Sequence, residues 1–295
     1  MNKKGIVLCN YAAAFVDILG QRRQLQRFSR LPDTSDEKQM SDFKAVLKGT
    51  VGVVNGLVTH FKRFFRAFSN NSRGRRLPES LRSAFESLRR MEIHFQRFSD
   101  GLFVFVPLAV DKIPVPINGV FGLLAACGTA SLISLAAGHP IRGGIELGWG
   151  VEYHPDELYG SVVARAYELE SEVARYPRFV VGEQLTEYIH ATEAHSAQDA
   201  ASQVGRSLAA YCRSMLITDD DGYPIIDYLG TAFRELGNNA VTKEVVRRAY
   251  EFVLAQSSEW KEKKDTELAF RYAMLRDYFD ARLPEWNEDN RRTKS

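Results

Sequence analysis

The chain has 295 residues, enough for one large domain with an appendage or for two modest ones. With 45% hydrophobic and 26% charged residues it has the composition of an ordinary soluble globular protein, and a formal net charge of +2 leaves no electrostatic footprint for nucleic acid. The start Met1-Asn2-Lys3-Lys4 is basic, but the apolar stretch after it is too short for a secretory signal, and Cys9, Cys127 and Cys212 lie too far apart for a Cys-x-x-Cys site. A cytoplasmic protein with reduced thiols is expected.

In chain order, residues 5–16 read as a strand. Over 38–70, Phe43, Val46, Leu47, Val54, Leu57, Val58, Phe61 and Phe65 recur at steps of three and four, the period of one or two amphipathic helices, with Gly49, Gly52 and Gly56 allowing a break. A helix over 78–91 opens on Pro78, and a hairpin follows with arms over 91–98 and 102–106. The uncharged run 119–138 is long enough to cross a bilayer, but its Ala, Gly, Ser and Thr content favours a buried core or dimer-face helix over a membrane anchor. A strand over 140–151, a helix over 158–174 and a short strand over 178–182 complete the order β-α-α-ββ-α-β-α-β. That order predicts an α/β sandwich with a mixed sheet over residues 1–185. Residues 186–216, 241–262 and 264–283 carry the helical period, with Thr242 an N-cap, and predict a helical C-terminal extension over 186–286 before a disordered tail at 287–295. The run Asp219-Asp220-Asp221-Gly222 lacks the spacing of an EF-hand loop and reads as a solvated turn.

Two aspartates stand apart from this background. Asp17 closes the first apolar run, and Asp100 sits in the Ser99-Asp100-Gly101 turn of the hairpin. Each alone is ordinary turn or strand-end chemistry. Together, bounded by Phe15, Val16, Ile18 and Leu19 and by Phe98, Leu102 and Phe103, they risk partial burial, with Arg97 the one basic residue adjacent in sequence. A divalent metal would supply the missing charge, and Mg²⁺ takes one or two protein carboxylates while substrate phosphates and water complete its shell. The six histidines form no His-Glu-x-x-His pattern, and neither Ser131 nor Ser161 lies in a nucleophile elbow.

The order of elements and four local motifs resemble the class III nucleotidyl cyclase catalytic domain over residues 5–182. Phe15-Val16-Asp17-Ile18 is similar to the family's Phe-x-Asp-Ile, Ser99-Asp100 stands where it has Gly-Asp, and Arg142-Gly143-Gly144-Ile145 resembles its Arg-x-Gly-Ile strand. The stretch from Leu158-Tyr159-Gly160 to Leu169-Glu170-Ser171 resembles its catalytic helix. The resemblance implies two divalent metal ions, Mn²⁺ or Mg²⁺, held by Asp17, Asp100 and the Ile18 carbonyl, with Phe15, Gln96 and Glu157 in the nucleotide site. It also implies a homodimer with shared active sites, in which Gln96, Glu157 and Arg165 come from the second chain.

The departures from the family are informative. Its transition-state Asn and Arg fall on Ala164 and Glu168, and Arg165 is one residue along as a substitute. Where adenylate cyclases have Lys and guanylate cyclases Glu, this chain has Gln96, and a second base-reading position is Glu157. A pyrimidine edge suits such a pair. Together with Tyr167-Glu168-Leu169-Glu170-Ser171 and Arg175-Tyr176-Pro177-Arg178, these positions resemble the pyrimidine cyclases of bacterial Pycsar anti-phage systems. That likeness implies UTP or CTP as substrate, UTP favoured, and a cyclic product sensed by a separate effector protein. The alternative is a cyclase-like domain that binds nucleotide without turning it over.

Overall fold

Strand β1 (Val7–Ile18) lies inside the sheet because both of its faces are apolar. Ala12, Ala14, Val16 and Ile18 enter the larger core, whereas Tyr11, Ala13 and Phe15 enter a smaller one on the opposite face. A computed structural model describes residues 7–20, 30–69, 93–98, 101–108, 117–154, 157–236 and 242–288. The helix expected over 78–91 and the second aspartate, Asp100, lie outside them.

Among the described residues, β2 (His94–Arg97), β3 (Gly101–Pro107), β4 (Ile141–His154), β6 (Phe179–Val181), β7 (Leu216–Thr218) and β8 (Pro224–Ile226) join β1 in the order β2-β3-β1-β4-β6-β8-β7. Strand β5 (Glu157–Gly160) pairs with the end of β4. The β4–β6 pair is parallel and the others are antiparallel, so the sheet is mixed, as the sequence predicts.

Helix α1 (Glu37–Ser69) is continuous through Gly49, Gly52 and Gly56, and buries Val54, Leu57, Val58, Phe61 and Phe65. Helix α2 (Ile117–Ala136) is the uncharged run. It is long and apolar enough to span a bilayer, yet 89% of its most apolar window is buried, against β1, β3, β4 and the helices around it. The core reading of that helix therefore holds.

The helix expected over 158–174 begins later and ends differently. Leu158, Tyr159 and Gly160 pair with Glu152, Val151 and Gly150 as β5, and α3 (Ser161–Glu168) starts after Gly160, whose φ of 142° no other residue adopts readily. A π-helical turn, Leu169–Val173, follows and covers Gly144 on β4. A methyl group on Gly144 would collide with the Ala166 carbonyl and come within 2.5 Å of Leu169 Cβ and 2.7 Å of Glu170 N. These neighbours are backbone or Cβ atoms and have little room to give. Gly144→Ala is expected to cost about 3 kcal/mol, checked by urea denaturation, as close approaches of backbone to strand glycines require.

The C-terminal region supplies α4 (Glu183–Ala194), α5 (Ala200–Ser214), α6 (Thr231–Glu235), α7 (Lys243–Glu262) and α8 (Thr266–Glu288). The single period expected over 186–216 is two helices, with Asp199 capping the second by accepting from Ser202 N. Thr242 caps α7 as expected, accepting from Val245 N. Strands β7 and β8 also come from this region and extend the sheet. The turn between them departs from the solvated reading: Asp219 and Asp221 both hold Arg178, which is 3% exposed. Arg178 is too far away in sequence for the spacing of the aspartates to reveal it.

Candidate active site

Strand register builds this site before any side chain is placed. One row of paired residues crosses the sheet from Gln96 on β2 through Phe103 and Phe15 to Gly144, and the next from Gly101 through Asp17 to Arg142. Paired residues share a face and side chains alternate along a strand, so Phe15, Asp17, Gln96 and Arg142 project together. Ile18 points the other way, with its side chain 2% exposed in the larger core. It can offer this face nothing but backbone.

Asp17 lies inside β1, paired on both sides, and has a protein counter-ion that sequence adjacency does not reveal. Its Oδ2 is 3.3 Å from Arg142 Nε, which is also 2.8 Å from Glu170 Oε1. The expectation that metal alone balances Asp17 is therefore corrected. Antiparallel pairing of β1 with β4 places Arg142 opposite Asp17 across the strand boundary. Two carboxylates around one guanidinium still leave the cluster net negative, so a cation remains welcome. Among the described residues no group of three or more His, Cys, Asp or Glu gathers.

Gln96 and the start of β5 come from distant parts of the chain and meet. Gln96 Oε1 accepts from Leu158 N at 3.4 Å, immediately beside Glu157, and His94 Nδ1 lies 3.8 Å from Glu152 Oε1 across the same seam. Phe15 stacks on Phe98 at 5.5 Å between ring centroids, and Tyr167 meets it edge-on at 5.2 Å. This cluster forms an apolar wall next to Asp17.

Helix α3 buries Val162 and Ala166 and exposes Ala164, Arg165, Tyr167 and Glu168. Arg165 therefore sits on the outer side of the helix, where its charge acts on Glu146. Burial raises the Glu146 carboxyl above its ordinary range, while hydrogen bonds from Leu147 N at 2.8 Å and Leu185 N at 3.0 Å pull it down, as does Arg165. Glu146 acts as a cap for α4.

Sequence reasoning missed Arg142 as the partner of Asp17, Glu170 as the second carboxylate on Arg142, and Tyr167 as part of the aromatic wall. The signal for the first was present: once β1 and β4 are aligned antiparallel, Arg142 falls opposite Asp17.

No protein-family model matches the chain, and no curated protein matches it. Among solved structures it is similar to the catalytic core of a rhodopsin-guanylyl cyclase with converted specificity in complex with ATPalphaS, at a TM-score of 0.40 and 13% identity, over 75% of this chain and 98% of that one. It is also similar to a class III adenylyl cyclase-like ATP-binding protein from Pseudomonas aeruginosa, at a TM-score of 0.36 and 12% identity, over 70% of this chain and 41% of that one.

Proposed function

We propose that the chain is a nucleotidyl cyclase that converts a pyrimidine nucleoside triphosphate, UTP in preference to CTP, to the 3′,5′-cyclic nucleotide and pyrophosphate. The observation that carries this is the common face of Asp17, Phe15 and Gln96, with the start of β5, where Glu157 stands, tied to Gln96 by the Leu158 N–H. A phosphate-side carboxylate and an amide suited to a base edge thus line one face of the chain, and in a shared-site dimer the carboxylate of one chain would serve with the amide of its partner.

In the reaction the ribose 3′-oxygen attacks the α-phosphorus and pyrophosphate leaves. Mn²⁺ or Mg²⁺, held by Asp17, Asp100 and the Ile18 carbonyl, would supply acidification of the 3′-hydroxyl and neutralisation of the triphosphate. Asp17 orients that charge, with its carboxylate fixed by Arg142. Gln96 and Glu157 select the base, and Arg165 is the cation offered to the developing charge in place of the family's Arg. The Phe15, Phe98 and Tyr167 rings keep water from the carboxylate's apolar side.

The enzyme acts as a homodimer whose sites are shared between chains. Leu8, Trp149, Tyr153 and Tyr159 form an exposed apolar patch, with Leu8 and Tyr159 both paired to Val151, but by strand alternation it lies on the face of the sheet opposite Asp17 and supports pairing of chains rather than sharing of the site. The product would be read by a separate effector in anti-phage defence, in the cytoplasm. A second reading, nucleotide binding without turnover, is favoured by Ala164 and Glu168 on the outer side of α3.

Incubation with Mn²⁺ and each of the four nucleoside triphosphates, followed by pyrophosphate release and product mass, separates these readings. Cyclic product from UTP or CTP is expected, and binding with no pyrophosphate from any triphosphate would establish the second reading. Mixing inactive Asp17→Ala and Glu157→Ala chains is expected to restore about a quarter of wild-type turnover, since half the dimers then carry one intact shared site. No restoration would sink the shared-site dimer.

A further inference from the structure

Asp17 is gripped by a cation that is itself gripped. Arg142 Nε reaches Asp17 Oδ2 at 3.3 Å and Glu170 Oε1 at 2.8 Å, while its Nη1 donates to the Ala174 carbonyl at 3.2 Å. The side chains are shielded to different degrees, with Glu170 4%, Arg142 17% and Asp17 23% exposed. Backbone fixes both ends: Arg142 is the register partner of Asp17, and Glu170 rides on the π-helical turn that packs over Gly144. In so shielded a setting a guanidinium acts on a neighbouring carboxylate more strongly than at an open surface.

We propose that Arg142, tempered by Glu170, is the positioning residue that fixes the Asp17 carboxylate and sets how tightly it takes a divalent cation. This rests on the reading of Asp17 as a metal ligand. Arg142 and an incoming cation compete for one carboxylate, so Arg142 weakens metal binding. Glu170 draws the guanidinium charge to itself and so restores it. A site poised in this way holds metal loosely when empty of substrate, and firmly once triphosphate oxygens join the shell. Metal loading is thereby tied to arrival of the nucleotide.

The test titrates Mn²⁺ into the full chain without nucleotide and reads free Mn²⁺ by electron paramagnetic resonance, with a thermal melt of each variant. Arg142→Gln is expected to tighten the Kd about tenfold and Glu170→Gln to weaken it by about as much, the size of effect that one nearby charge has on a carboxylate's affinity for a proton. Arg142→Lys, which keeps the charge, should stay near wild type. A purely structural role would lower the melting temperature without moving Kd in opposite directions. Should Arg142→Gln not fold, Glu170→Gln decides alone, a weakened Kd supporting the proposal and an unchanged one overturning it. The proposal is also overturned if both variants shift Kd the same way or neither shifts it. If Asp17→Ala binds Mn²⁺ as tightly as wild type, the metal reading of Asp17 fails, and the role of Arg142 fails with it.

Discussion

Replacing Asp17 with alanine is expected to reduce metal-dependent turnover by about a thousandfold or more, since a ligated cation supplies several kcal/mol of transition-state charge stabilisation. The same change should leave the fold intact. Arg142 keeps its contacts to Glu170 at 2.8 Å and to the Ala174 carbonyl at 3.2 Å, so no guanidinium is stranded when Asp17 goes. Asp17 is 23% exposed, and the lost ion pair and hydrogen bond are worth about 1 kcal/mol. A pyrophosphate-release assay beside a urea melt checks both halves. A folded variant with wild-type turnover would remove Asp17 from the reaction and the cyclase assignment with it. The reciprocal change is harsher on the structure, because Arg142→Met would leave Asp17 and Glu170 facing each other with no charge between them.

This asymmetry shows what the sequence could and could not convey. Periodicity and apolar runs made β1, α1, α2, β4 and the C-terminal helices legible, because each element buries a face of its own composition. Phe15, Asp17, Gln96 and Glu157 were singled out by local motifs, and strand register puts the first three on one face. The charge balance of Asp17 was not, since Arg142 lies 125 residues away and Glu170 reaches the site through a turn that the helical pattern conceals. The start of α3 was misplaced for a related reason: Leu158 and Tyr159 suit a helix by propensity, yet pairing with β4 wins them for β5. Strands β7 and β8 were missed because three residues each give too little alternation to read.

Arg178 ties the two halves of the chain together. Its guanidinium is 3% exposed, donates to both Asp219 and Asp221 in the β7–β8 turn, and donates to the Val173 carbonyl at 2.8 Å at the end of the π-helical turn. It lies 4.7 Å from the centre of the Tyr176 ring, whose hydroxyl donates to Asp219 at 2.5 Å. Arg178→Met keeps much of the volume but leaves Asp219, 14% exposed, without its cation, and is expected to cost about 3 kcal/mol. Asp221→Asn should cost about 1 kcal/mol or less, because Asp221 is 40% exposed and water screens its share. Urea denaturation of the two variants measures the difference, and equal losses would contradict this division of the network. The pH dependence follows from Asp221, whose carboxyl is held below its ordinary 3.8 by the hydrogen bond from Arg178, partly offset by burial. A depressed carboxylate stabilises the fold fully above its unfolded value and ceases to do so as pH falls through the folded one. The gap between wild type and Arg178→Met should therefore be constant above about pH 5 and narrow through and below 3.8 as Asp221 takes up its proton. Because Arg178 also anchors the turn that carries Glu170, its loss should loosen Arg142 and, through it, Asp17.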